Sequence, residues 1–223
     1  MTAIHLSEIG NKYTTSNSPF IAVLPTNERI AEIVYNELPA EVIEEATTRF
    51  LSIKRRMEWL TTRWLLKKIL GKQATINYHT TGRPYIHGIE NAPQISISHT
   101  NGYVAIALHA SPIGIDIQCL QSKLEKIYQR FMNSDEIEHA SQYFAMEKAA
   151  LIWWSAKEAA YKLIDQPGTP LKEGFNVKFV KENQFGESHH NLHIRFYPIN
   201  NGILTMATQY DCQNECRLFI IDD

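Results

Sequence analysis

Apolar and polar positions alternate strictly at Ile95-Ser96-Ile97-Ser98, which predicts a strand with both isoleucines on one face. His99-Thr100-Asn101-Gly102 follows, and Asn-Gly is the dipeptide of a tight hairpin, so Tyr103 to His109 is the return strand. Ser111-Pro112 ends it. The alternation resumes at Ile113-Gly114-Ile115-Asp116-Ile117-Gln118, with three isoleucines on one face and Gly114, Asp116 and Gln118 on the other. That strand aims an acid and an amide into the same space. Helical periodicity dominates elsewhere. Pro39 opens a helical stretch through about Phe50. Lys54 to Leu70 carries Trp59, Leu60, Trp64 and Leu66 and stops at Gly71. A further helical region runs from about Lys123 to Leu163, with a break near Asn133-Ser134, where Ser134-Asp135-Glu136 has the form of a helix start. Residues 1 to 35 predict irregular chain with one strand around Phe20 to Leu24. Gly82-Arg83-Pro84 and Gln166 to Pro170 are loops. Beyond the second loop, renewed alternation predicts three or four strands.

Composition narrows the class. A chain of 223 residues with 44% hydrophobic and 21% charged residues can bury a real core and is not disordered. The formal net charge of −2 argues against a general nucleic-acid binder. The cations are nonetheless clustered: Lys54, Arg55, Arg56, Arg63, Lys67 and Lys68 share one helix with only Glu58 opposing them, which suits a small anionic ligand. Cys119, Cys212 and Cys216 form no zinc spacing and predict reduced thiols. Met1 to Thr15 has no signal-peptide core, and no run reaches membrane length, so a cytoplasmic protein without membrane contact is expected.

The candidate chemistry sits on Trp154-Ser155-Ala156-Lys157-Glu158-Ala159-Ala160-Tyr161-Lys162, where Trp154, Glu158 and Lys162 stack on one helical face. A carboxylate one turn from an ammonium suits phosphoryl transfer, although the same spacing also makes an ordinary surface pair. Asp116 on its apolar strand is a candidate ligand for Mg²⁺, or the polar face of an edge strand. Ser98-His99-Thr100 beside a tight turn can cradle a phosphate, or form a plain hairpin. His189, His190 and His193 have no partner at metal spacing and belong to a surface loop.

In this order the segments resemble the 4′-phosphopantetheinyl transferases of the monomeric surfactin-synthetase type. The motifs are Gly82-Arg83-Pro84, Ile97-Ser98-His99-Thr100, Gly114-Ile115-Asp116-Ile117-Gln118 and Trp154 to Lys162. Arg130-Phe131 followed by Glu136 resembles the family's Arg-Phe-Phe segment. The resemblance covers roughly residues 50 to 180. It implies an α+β fold of two similar α/β lobes, 1–110 and 111–223, forming a pseudodimer with the active site in the cleft between them. It implies transfer of the phosphopantetheine arm of coenzyme A to a serine of an acyl or peptidyl carrier protein, with Mg²⁺ and release of 3′,5′-ADP. Asp116 and Glu158 would ligate the metal, Glu158 would take the serine proton, and Lys162 would sit by the phosphate. Lys157, Arg83, Ser98, His99 and Thr100 would hold phosphates of coenzyme A, and one or more of Arg55, Arg56 and Arg63 would meet the 3′-phosphate. The region from Gln121 to Tyr143, with Arg130, Phe131 and Met132, would dock the carrier.

The family strand usually ends Asp-x-Glu, whereas this one ends Asp116-Ile117-Gln118. Either two carboxylates with water or Gln118 hold the metal, or metal affinity and activity are reduced. Rival readings are a different Mg²⁺-dependent phosphotransferase and a non-catalytic module binding coenzyme A or a carrier protein.

Overall fold

The computed structural model describes residues 2–5, 8, 18–120, 122–212 and 216–222. Its first half builds β1 (Thr2–His5), β2 (Phe20–Pro25), α1 (Glu28–Glu37), α2 (Ala40–Arg49) and α3 (Ile53–Leu70). There follow β3 (Thr75–Tyr78), β4 (Pro84–His87), β5 (Gln94–Thr100) and β6 (Tyr103–His109). The hairpin at Asn101-Gly102 forms as its sequence predicts: β5 and β6 pair antiparallel up to Thr100 opposite Tyr103, and Gly102 has φ 88°. Ser52 caps α3, accepting from Arg55 N–H at 3.4 Å, and Gly71 at φ 98° ends it. Trp59, Leu60, Trp64, Leu65, Leu66 and Ile69 of α3 pack into one core with Phe20, Leu24, Ile95, Ile106 and Leu108 of the sheet.

The second half builds β7 (Gly114–Cys119), α4 (Ser122–Ile127), a 3₁₀ turn (Tyr128–Arg130), α5 (Ser134–Ser141), α6 (Met146–Ile164) and α7 (Leu171–Gly174). The strands β8 (Val177–Lys181), β9 (Gln184–Glu187), β10 (Leu192–Ile199), β11 (Gly202–Thr208) and β12 (Arg217–Asp222) complete it. One antiparallel sheet runs β7-β11-β10-β9-β8. Trp153, Ala156, Ala159, Ala160 and Leu163 of α6 bury against it. Gly114 is required at this contact: a Cβ there would lie 2.0 Å from the Ala159 carbonyl oxygen and 2.9 Å from Leu163 N, so only glycine lets α6 lie down on β7.

The protein is thus mixed α+β, and its chain divides into two units. One comprises Met1–His79, Pro84–Ser111 and Glu215–Asp223, the other Thr80–Arg83 and Pro112–Asn214. The sequence-based lobes, 1–110 and 111–223, differ from this at two points. β12 pairs in parallel with β1 and β2, giving the first unit a sheet ordered β1-β12-β2-β6-β5. The Gly82-Arg83 loop, in turn, falls in the second unit. Both are long-range pairings that local periodicity does not register.

Other elements differ too. Part of the stretch expected to be irregular is α1, capped by Asn27, whose side chain accepts from Ile30 N–H at 2.8 Å. The long second helical region breaks twice, and α5 starts at Ser134 as its sequence predicts, with Asn133 as the cap and Glu136 completing a capping box. Five strands, rather than three or four, follow the second loop. Among the described residues no helix is long and apolar enough to cross a membrane.

Candidate functional site

Asp116 is 3% exposed and shares with Gly114 the face of β7 that α6 covers. The Lys162 ammonium donates to Asp116 Oδ1 and to the Ile115 carbonyl oxygen, each at 2.9 Å. The Ser155 hydroxyl donates to the Asp116 carbonyl oxygen at 3.4 Å. Glu158, one turn before Lys162, has its carboxyl pushed above the usual range, first by burial and then by the Asp116 charge, with Lys162 opposing. Two carboxylates and one ammonium therefore converge where β7 meets α6. Trp154 sets the same helix face, its ring edge-on to Phe131 at 5.0 Å.

These donors fit Mg²⁺, which binds through one or two carboxylates and otherwise through water and phosphate oxygens. Asp116 and Glu158 supply the carboxylates; Glu158 is raised first by burial and then by the Asp116 charge, and a cation would relieve the second. Gln118 donates its Nε2 to Asp116 Oδ2 at 3.1 Å, so it offers its amide nitrogen to the acid. No group of three or more His, Cys, Asp or Glu that could hold a metal occurs among the described residues.

Lys157 does not join the site. Its side chain is 0% exposed, and its ammonium donates to Glu136 Oε2 at 2.7 Å, the Phe175 carbonyl at 2.8 Å and the Leu171 carbonyl at 3.0 Å. Glu136 in turn accepts from Val177 N–H and Asn133 N–H. Burial pushes Lys157 down and Glu136 up, and each partner offsets the shift of the other. An ammonium enclosed in this way is committed to Glu136 and two backbone carbonyls rather than to solvent. The docking expectation changes likewise: Phe131 and Met132 are 2% and 0% exposed and belong to the core, while Arg130 is exposed. Gln121 lies outside the described residues.

The second unit also holds Arg83. Its N–H donates to the Thr81 hydroxyl at 3.4 Å, and that hydroxyl donates to Asp165 Oδ2 at 3.1 Å. Asp165, left-handed at φ 54°, caps α6 just past Lys162. The loop is therefore tied to the end of the helix that carries Glu158 and Lys162.

In the first unit the Ser98-His99-Thr100 motif does not converge. Strand alternation puts His99 on the face of Ile95 and Ile97, which α3 covers, and turns Ser98 and Thr100, both buried, to the other face. The three arginines of α3 also separate. Arg55 Nη1 lies 3.2 Å from His99 Nε2. Arg56 donates to the Phe50 carbonyl at 3.2 Å and ties down the helix start. Arg63 stacks over the Trp59 ring at 3.3 Å, and burial holds its guanidinium below the usual arginine range. Of the three, Arg55 reaches the histidine. Glu58, 4% exposed, sits beneath both: its Oε2 is 3.4 Å from Arg55 Nη1 and 3.3 Å from His99 Nδ1. The sequence marks Glu58 as the one acid among the clustered cations of the basic helix but gives it no role.

Residues 112–209 match the family model of the 4′-phosphopantetheinyl transferase superfamily. The matched segment lies inside the second unit and contains Asp116, Glu136, Lys157, Glu158 and Lys162. No curated protein matches the chain with significance.

Proposed function

We propose that the chain is a 4′-phosphopantetheinyl transferase of the single-chain surfactin-synthetase type. It moves the phosphopantetheine arm of coenzyme A onto a serine of an acyl or peptidyl carrier protein and releases 3′,5′-ADP. The observation that carries this reading is the junction of Asp116, Glu158 and Lys162 where β7 meets α6, inside the segment that matches the superfamily. The repeat character of that type is supported by one five-stranded sheet and one long helix in each unit, 18 residues in α3 and 19 in α6.

In this mechanism the carrier serine oxygen forms a bond to the phosphorus that bears the pantetheine arm. Glu158 accepts the serine proton, a task suited to a carboxyl whose basicity is raised by burial and by Asp116. The P–O bond to the leaving nucleotide breaks, and its electron pair remains on the 5′-phosphate of 3′,5′-ADP. Lys162, 28% exposed at its side chain, offsets that growing charge. Asp116 fixes Lys162 through a 2.9 Å ion pair, and the tethered loop offers Arg83 as a phosphate ligand. Mg²⁺ held by Asp116 and Glu158 would neutralise the pyrophosphate and hold it in line. His99 and Arg55 are proposed contacts of a coenzyme A phosphate. Lys157 is assigned no ligand. The protein is proposed to act as a cytoplasmic monomer.

Mass spectrometry of a panel of carrier proteins incubated with the chain, coenzyme A and Mg²⁺ tests this. One or more carriers should gain the phosphopantetheine mass, and Asp116→Ala and Glu158→Ala should abolish the gain. Transfer at near-normal rate by Glu158→Ala would overturn the mechanism. Coenzyme A binding with no carrier modified would overturn the enzymatic reading in favour of a binding module.

A further inference from the structure

The Glu58 cluster makes a demand about protons. Arg55 is a donor in every state, so at 3.2 Å from it His99 Nε2 must carry a lone pair. The ring is then neutral, with its proton on Nδ1, 3.3 Å from the buried carboxylate of Glu58. Lys54 lies 4.0 Å from Glu58 Oε1. Of the strands packed with β5, β6 places apolar Val104 opposite His99, and β4 has Tyr85 and His87 as its titratable residues. Lys54 and Arg55 together carry one more charge than Glu58 offsets. A phosphate monoester brings two negative charges and only acceptor oxygens. It cannot receive a hydrogen bond from Nε2 until that nitrogen gains a proton.

Building on the proposed coenzyme A reading, we propose that a coenzyme A phosphate binds at Arg55 and His99 together with one proton, which enters on His99 Nε2. Glu58 is the positioning residue that makes the uptake favourable. It is buried beneath the ring, holds the Nδ1 side and stabilises the imidazolium that forms. The proton comes from solvent or buffer, whose bond to it breaks as the Nε2–H bond forms, and the added positive charge offsets the dianion. Glu58 touches no ligand and acts only through His99 and Arg55.

Calorimetric titration of the full chain with coenzyme A, in two buffers of unequal ionisation enthalpy, counts the protons. At about pH 7.5, above the ordinary imidazole range, the wild type should take up between about 0.5 and 1 proton per coenzyme A bound. His99→Gln should remove the uptake. Glu58→Gln should lose most of it and bind coenzyme A more weakly. Glu58→Asp, which keeps the charge, should recover part of it. Unchanged circular dichroism would separate these effects from unfolding. Proton-neutral binding by the wild type, or full uptake by Glu58→Gln, would overturn the proposal. Carrier modification measured alongside keeps the two readings apart. Transfer with proton-neutral binding refutes only the coupling, whereas proton-linked binding without transfer supports the coupling and refutes the enzymatic reading.

Discussion

Replacing Lys157 by methionine removes one half of a pair in which both side chains are 0% exposed. Three hydrogen bonds of 2.7, 2.8 and 3.0 Å are lost with the ammonium. Glu136 would stay buried with only the N–H groups of Val177 and Asn133, 2.8 and 2.9 Å away, to hold its charge. Breaking a buried pair from one side costs about 3–5 kcal/mol, because the surviving charge has lost its counter-ion but not its burial. For a chain of this size that lowers the melting temperature by roughly 6–20 °C. The direction of both shifts, Glu136 up and Lys157 down, says that burial outweighs the attraction between the partners. Removing both charges should therefore be much less costly than the two single changes together. Urea unfolding of Lys157→Met, Glu136→Gln and the double variant closes the cycle, and the coupling should reach about 2 kcal/mol or more. A single variant that loses less than about 1 kcal/mol, or a double variant as unstable as the sum, refutes the argument. So does an unchanged Lys157→Met accompanied by a large rise in KM for coenzyme A, which would make Lys157 a ligand contact.

The junction of β7 with α6 yields three further expectations. Glu158→Gln should stabilise the metal-free protein at neutral pH while ending transfer, and thermal melts should show Mg²⁺ stabilising the wild type but not the variant. Because the folded Glu158 carboxyl is raised, its contribution is most favourable below the unfolded pKa and is lost as pH rises through the raised folded value. The wild-type-minus-variant stability difference should follow that slope, and a flat difference would count against it. Gln118→Glu exchanges the amide that donates to Asp116 at 3.1 Å for a third carboxylate. It should destabilise the metal-free protein and lower the Mg²⁺ needed for transfer, as read from melts with and without metal. Gly114→Ala should cost about 1–3 kcal/mol, because its Cβ would meet the Ala159 carbonyl at 2.0 Å. It should also lower kcat by pushing Lys162 away from Asp116, and a variant with wild-type melting and turnover would refute the packing role.

The elements that carry the chemistry were legible because each has a strong local signal. Asn101-Gly102 fixes one hairpin, the isoleucine alternation fixes β7, and glycine ends α3 at Gly71. What escaped was either nonlocal or unread. β12 joins β1 and β2 across nearly the whole chain, and no period of its own sequence names its partners. By contrast, Asn27 before Glu28-Arg29-Ile30 and Val34 is an ordinary capped amphipathic start, so α1 was present in the pattern and passed over.

The site itself turns on two lysines of one helix. Lys157 and Lys162 are five positions apart, about 140° around α6, so both cannot face one ligand. Trp153, Ala156, Ala160 and Leu163 define the apolar stripe, and Lys157 falls within it while Glu158 and Lys162 fall outside. An ammonium in an apolar stripe needs a buried acid, and the helical wheel announces that need without naming Glu136, whose approach depends on the capping box at Asn133. The same logic separates Ser98 and Thr100 from His99 by strand alternation and leaves Glu58 under the histidine. Residue type suggested one crowded phosphate site. Direction divides those residues into a buried pair that holds α6, an acid–lysine junction that faces the chemistry, and a histidine whose charge is set from below.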